Sequence, residues 1–253
     1  IKMQILKCRY KSKIDFRSIL KYFFNILINM KFLIFDTETT GLPARGAKLP
    51  NIELYPYIVQ FSWLVFDDAT MRITNINNHL IKLPDGMSIP QESTNIHGVT
   101  NEAMHQSGED IKLILEMFNE SVKESQIIVA HNIKFDDEIV QCECIRNNIK
   151  NSMTAYPAKI KYCTMKYGKN ITKIERPSKF NIGQMYYKPP KLFELHKHYF
   201  NTVPNNLHNS LVDVFVCFRC FYKMVYGKDL FNPQEQLELS TYYNNLTQIN
   251  DNR

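Results

Sequence analysis

Phe32-Leu33-Ile34-Phe35-Asp36-Thr37-Glu38-Thr39-Thr40-Gly41 is the stretch from which the rest of the chain is read. Four consecutive apolar residues, Phe32 to Phe35, predict a strand buried on both faces, as in the middle of a mixed or parallel sheet. Such a run should stay apolar or stop at a turn. This one delivers two carboxylates, Asp36 and Glu38, at its carboxyl end. Residues i and i+2 of a strand project to the same side, so both acids face one place. Like charges held together are costly, and a divalent cation relieves them. Hard oxygen ligands suit magnesium or manganese rather than zinc. On this stretch alone a solvated loop with two stray acids remains the blander alternative.

Working outward, Leu42 to Pro56 reads as a loop marked by Pro43, Gly46 and Pro50. Tyr57 to Phe66 reads as a second strand, and Ile73 to Leu83 as a third, polar enough for a sheet edge. Together they predict a short antiparallel meander built out from the first strand. Ile96-His97-Gly98-Val99-Thr100 follows in a loop. Ile111, Ile114, Leu115, Phe118 and Val122 then recur at helical spacing over 110–123. Ile127 to Ala130 is a second wholly apolar strand. It empties into the polar turn His131-Asn132-Ile133-Lys134-Phe135-Asp136, and a helix carrying Ile139, Cys142, Ile145 and Ile149 follows.

Lys191 to Phe200 reads as helical, and then comes His208-Asn209-Ser210-Leu211-Val212-Asp213. His208 and Asp213 would stand about 140° apart on one helix. They can share a site if the helix begins between them, and Asn209 or Ser210 makes a good N-cap. Asp213 then falls in the first turn of a helix that is apolar nearly all round to Val225. Structural capping is the competing reading of that acid.

Composition bounds the rest. The 253 residues, 44% hydrophobic and 22% charged, describe an ordinary globular chain, one domain with room for an appendage. Eight glycines and no GxGxxG or GxxxxGK[ST] argue against a dinucleotide enzyme or a P-loop NTPase. The net charge of +6 is uneven: residues 1–29 carry seven basic residues against Asp15, and the remainder is neutral overall. Within that remainder, Lys159 to Lys191 holds nine basic residues and one acid, Glu175, interleaved with Tyr162, Tyr167, Phe180, Tyr186 and Tyr187. Positive charge with aromatics is the composition of a single-strand channel, and equally of a solvated Lys-rich insertion.

Residues 1–29 are too short and too charged in their apolar part to span a bilayer, and no small-residue cleavage site follows. They read as an organelle-targeting presequence, a docking helix, or an extension ahead of a start at Met30. The six cysteines read as buried thiols in a reducing, intracellular compartment, cytosol or nucleus, or an organelle if 1–29 is a presequence. The CxxC spacing of Cys217 and Cys220 lies in a helical pattern, which favours inert thiols over zinc. The tail from Gln234 to Arg253 reads as a loosely docked polar helix.

Four carboxylates from separate segments and one histidine beside the last of them can hold two divalent metals about 3.5–4 Å apart, the arrangement for in-line attack at phosphorus. An imidazole at that place takes the proton from the attacking water. The chain here resembles the DEDDh exonuclease family, which includes proofreading subunits of bacterial replicative polymerases, ribonuclease T and animal three-prime repair exonucleases. The residues that carry the resemblance are Asp36 to Leu42, Val129 to Asn132 with Phe135-Asp136, and His208 with Asp213. Glu92 with Ile96 to Thr100, and Lys191 to Leu195, extend it over about residues 31–226.

The resemblance implies an α/β, ribonuclease H-like exonuclease fold, a central mixed sheet flanked by helices, in a domain over 30–228. It implies a 3′–5′ exonuclease releasing nucleoside 5′-monophosphates from single-stranded or frayed DNA. The alternatives are an RNA 3′-end trimming enzyme and a nucleic-acid- or polymerase-binding subunit with secondary hydrolysis. It assigns Asp36, Glu38, Asp136 and Asp213 to two Mg2+ or Mn2+ ions, with Asp36 bridging both, and His208 to the general base. Thr37, Thr39, Leu42, Glu92 and His97 would meet the terminal nucleotide. The nucleic acid 3′ end is the implied partner, with a DNA polymerase as a further one. His131, following a strand, reads as a structural histidine.

Overall fold

The computed structural model describes residues 30–155, 158–178, 181, 183–233 and 236–248. The targeting, docking and start-site readings of 1–29, and Phe180, lie outside the described residues. A five-stranded sheet has the order β3-β2-β1-β4-β5, with β1 Lys31–Thr39, β2 Ile58–Asp67, β3 Arg72–Leu80, β4 Ile127–Ala130 and β5 Ile160–Cys163. β1, β2 and β3 form the expected antiparallel meander, and β4 and β5 run parallel to β1. β1 is therefore central. Its apolar run is covered on both faces, which is why it does not alternate with polar residues.

One face of the sheet packs against α7 (Ser210–Tyr226), burying Phe32, Ile34, Leu64, Phe66 and Val129 against Phe215, Phe218 and Phe221. The other packs against α3 (Ile111–Glu124) and α4 (Ile133–Arg146), burying Leu33, Phe35, Phe61, Trp63 and Ile128 with Leu115, Phe118 and Ile139. The buried Trp63 indole donates to Ser121 Oγ at 3.0 Å, so its polar edge is satisfied.

Several elements differ from the sequence expectation. The loop after β3 contains two short helices, α1 (Gln91–His97) and α2 (Asn101–Ser107); Gly98 ends α1 at φ 75 and Thr100 caps α2. Seven residues each are too few for an apolar period to show. α4 starts at Ile133, so Asp136 stands in a helical first turn rather than in a preceding turn. The same helix ends at Arg146, leaving Ile145 half exposed and Ile149 beyond it.

β5, α5 (Thr164–Thr172) and a hairpin of β6 (Glu175–Pro177) and β7 (Met185–Tyr187) occupy the basic stretch. Tyr162 is a core residue of β5, stacked on Tyr167, and is closed to any base. After α6 (Leu192–Phe200) and α7, the tail forms α8 (Leu237–Thr247). It docks firmly rather than loosely: Tyr243 is fully buried, and its hydroxyl meets His196 Nε2 at 2.8 Å. Among the described residues no helix is long and apolar enough to cross a membrane.

Candidate active site

β1 and β4 are parallel, so both deliver their next residues at the same end of the sheet. Asp36 and Glu38 leave β1 there, on the face that α7 covers. Asp136 arrives from α4, one turn after β4. Its carboxylate is oriented by Thr37, whose backbone N–H and hydroxyl both donate to Asp136 Oδ1, at 3.2 and 2.9 Å. Thr37 is buried and spends its hydroxyl on this bond.

Asp213 comes from α7. Asn209 is the N-cap, its Oδ1 accepting from Leu211 N–H, so the helix does begin between His208 and Asp213. His208 takes a left-handed conformation, φ 68, and its backbone N–H donates to Asp213 Oδ2 at 3.0 Å. A ligand atom from each of Glu38, His208 and Asp213 lies within 4.8 Å of the other two.

Tertiary contacts fix where that helix starts. In the β1–β2 register Asp36 is opposite Ser62 and Glu38 opposite Gln60. Both partners are buried polar residues in an otherwise apolar strand. Gln60 Oε1 accepts from Ser210 N–H at 3.2 Å, and the Ser62 and Ser210 hydroxyls share a hydrogen bond. Asn78 Oδ1 on β3 accepts from both Gln60 and Ser62. The α7 N-terminus is thereby pinned across from the two β1 acids. Sequence reasoning missed this set, although Gln60 and Ser62, two apart in an apolar strand, were a visible signal.

The electrostatics are those of a site that concentrates negative charge. Burial, then the charges of Asp136, Asp213 and Glu38, push the Asp36 carboxyl well above its ordinary range. Burial, then Asp213 and Asp136, push Glu38 up to about 9. Asp136 rises to about 7 by burial, opposed by the Thr37 hydrogen bonds. Asp213 also rises to about 7, by burial, opposed by the His208 N–H and reinforced by Asp136. Asp213 Oδ1 is buried with no hydrogen-bond partner. A buried carboxylate oxygen left open among raised carboxyls is what a hard divalent cation fits, so the residues present suit such a group.

The remaining expected residues fall around this cluster unevenly. Thr39 follows Glu38 across a register shift and donates its hydroxyl to Gly41 O. Ser93 of α1 donates to Thr40 O at 2.9 Å, which ties α1 to this turn. His97, at the end of α1, is buried; its Nδ1 accepts from Val99 N–H, and its Nε2 has no well-formed hydrogen bond. Burial lowers its pKa, opposed by the Thr39 backbone and assisted by the charge of His208, so the ring borders the site. Leu42 is 82% exposed at the end of the turn. Glu92 stands exposed in the first turn of α1. His131 is structural here: Nδ1 meets Thr164 Oγ1 at 2.9 Å, and Nε2 donates to Pro190 O at 3.0 Å. Cys142, Cys144, Cys217 and Cys220 are buried free thiols.

A mixed sheet that brings an acidic β1, the first turn of α4 and the start of α7 to one end defines a nuclease of the ribonuclease H-like class. The exonuclease family of the RNase T type matches residues 33–221, and the chain belongs to that family. Among proteins similar to it, the DNA polymerase III epsilon subunit of Buchnera aphidicola is 26% identical over 197 residues, covering 78% of this chain and 73% of that one. An epsilon-like protein of Rhodobacter capsulatus is 32% identical over 121 residues, 46% of this chain but 15% of its own. Two exonuclease I structures, one from E. coli in complex with a dT13 oligonucleotide, share the fold with a TM-score of 0.58 each. Their identities are 19% and 16%, over 84% of this chain and 43% of theirs. The chain thus spans less than half of exonuclease I.

Proposed function

We propose that the protein hydrolyses the terminal phosphodiester bond at the 3′ end of single-stranded or frayed DNA and releases a nucleoside 5′-monophosphate. The observation that carries this reading is the convergence of Asp36, Glu38, Asp136 and Asp213 on one sheet end, with His208 beside them and Asp213 Oδ1 unpartnered. The four carboxylates would hold two Mg2+ or Mn2+ ions, which supply positive charge where in-line attack at phosphorus develops negative charge.

The protein's own groups divide the rest of the task. His208 is exposed and held next to Asp213 by its backbone, so its ring can reach a water at the scissile phosphate and accept its proton. Water oxygen bonds to phosphorus, the bond to the upstream 3′ oxygen breaks, and that oxygen leaves as the new 3′-hydroxyl once protonated. Thr37 keeps Asp136 oriented. The Thr39–Leu42 turn, with His97 behind it and Glu92 on α1, forms the rim against which the terminal nucleotide would lie.

Incubation with Mg2+ and 5′-labelled single-stranded DNA or RNA of matched sequence tests this. Stepwise shortening from the 3′ end, faster on DNA and abolished in Asp36→Ala, is expected. No shortening by the folded protein with either Mg2+ or Mn2+ would overturn it. The similarity to the Buchnera epsilon subunit favours a second reading, that this nuclease works on a DNA polymerase. Co-purification with a polymerase from cells of its source would support that.

A further inference from the structure

The basic stretch is not uniformly free. Lys161 pairs with Asp137, Lys188 with Glu194, and Lys159 donates to the carbonyls of Lys123 and Ser125. What remains has a pattern. Lys166, Lys169 and Lys173 follow i, i+3, i+7 along α5 and its C-cap, so they share one face, rising about 4.5 and 6 Å between neighbours. The opposite face is fixed inward: a Cβ on Gly168 would stand 3.0 Å from Pro190 Cγ and 3.1 Å from Leu195 Cδ1. No ion pair forms at these three lysines or at Arg176 among the described residues.

Just beyond the lysine row stands the β6–β7 hairpin. Every residue of its two strands is exposed, so among the described residues neither face is fully covered. Opposite residues of an antiparallel pair share a face. Arg176 is opposite Tyr186, a cation beside an aromatic ring; Tyr187 is opposite Glu175, and Met185 opposite Pro177. Met185, Tyr186, Tyr187 and Tyr167 are 57%, 47%, 39% and 43% exposed. A two-stranded ribbon alone is marginal in water, and open rings on it are poorly used unless something stacks there.

The hairpin is also anchored toward the catalytic end. Lys188 N–H donates to Ile174 O at its base, and Pro190 O accepts from His131. The β1–β4 register pairs Ile34 with Val129, and His131 directly follows β4 at the sheet end where β1 carries Asp36. Two residues, Lys188 and Pro189, separate Tyr187 from Pro190, a span of at most about 11 Å.

We propose that the lysine face of α5 and the β6–β7 hairpin carry the upstream nucleotides of the strand whose 3′ end occupies the site. The cations track its phosphates, and Tyr186, on the hairpin face it shares with Arg176, stacks on an unpaired base. This rests on the nuclease reading above and specifies its substrate as a single strand several nucleotides long.

The test separates the surface from the site. Binding of a labelled single strand of about 20 nucleotides is measured by anisotropy in EDTA, and hydrolysis of a dinucleotide is measured with Mg2+. Tyr186→Ala is expected to weaken long-strand binding by about tenfold or more. Lys166→Gln, Lys169→Gln and Lys173→Gln together should lower the salt slope of log Kd by about 2. Both variants should hydrolyse the dinucleotide as the wild type does. Unchanged long-strand binding overturns the proposal and leaves the hairpin to a protein partner. Equal losses on long strand and dinucleotide overturn it as well, since they report a disturbed site. A wild type that binds through this surface but hydrolyses nothing would refute the nuclease reading and leave the binding surface standing.

Discussion

Asp213 shows at the scale of one residue how the site works against the fold. Its carboxyl is buried beside Asp136, raised to about 7, and one of its oxygens has no partner. Asn at this position keeps an oxygen for the His208 N–H and removes a buried charge. Asp213→Asn is therefore expected to raise Tm in EDTA by about 2–4 °C, the change that about 1 kcal/mol makes in a domain of this size. The same substitution should lower the nuclease rate by about 100-fold or more, because a cation ligand is lost. A lower Tm in EDTA would show that the carboxylate is structural. Thr37 belongs to the same scale: it is placed between two acids on β1, but it serves a third, Asp136, from a segment 99 positions away.

The latch between β4, α5 and α6 makes a prediction at the scale of elements. His131 joins Thr164, at the start of α5, to Pro190, just before α6. Burial holds its imidazole down to about 4, against an ordinary 6.5, with the Pro190 bond and Glu194 opposing. The folded pKa is the lower one, so the unfolded chain binds the proton first. The resulting stability is complete above the unfolded value and is lost as pH falls from 6.5 toward 4. Between pH 7 and pH 5 this amounts to about 2 kcal/mol. Urea unfolding of wild type and His131→Gln should show that extra loss in the wild type alone. Parallel pH profiles would mean that the latch is open in solution. The α7 start is the other element that matters, since Gln60, Ser62 and Ser210 set the position of Asp213 through β2.

Across the whole molecule, the segment after α7 closes the core on the α7 face. Arg219 lies over the rings of Phe200 and Tyr243, at 4.1 and 4.7 Å, and pairs with Asp229 through Nε and Nη2. Phe231 packs on Tyr243 with centroids 4.6 Å apart. Tyr243→Ala should cost about 3–5 kcal/mol in urea unfolding, the range for deleting a buried aromatic side chain. None of its contacts is a site residue, so dinucleotide hydrolysis at 25 °C should stay within about twofold. A loss below about 1 kcal/mol would show that α8 is only loosely attached.

Local chemistry made much of this legible in the sequence. An apolar run too short for a helix and emptying into a polar turn reads as a strand covered on both faces, and β1 and β4 are such strands. A polar N-cap before an all-round apolar helix located the start of α7, and with it the relation of His208 to Asp213. What the chain sequence could not show depends on contacts between distant segments. Thr37 on Asp136, Ser210 on Gln60 and Ser62, and Tyr243 on His196 join residues 99, 150, 148 and 47 positions apart. The same limit separates Tyr162, buried in the sheet, from Tyr186 and Tyr187, open on the hairpin. Composition treats these tyrosines alike, and only packing decides which of them water and a ligand can reach.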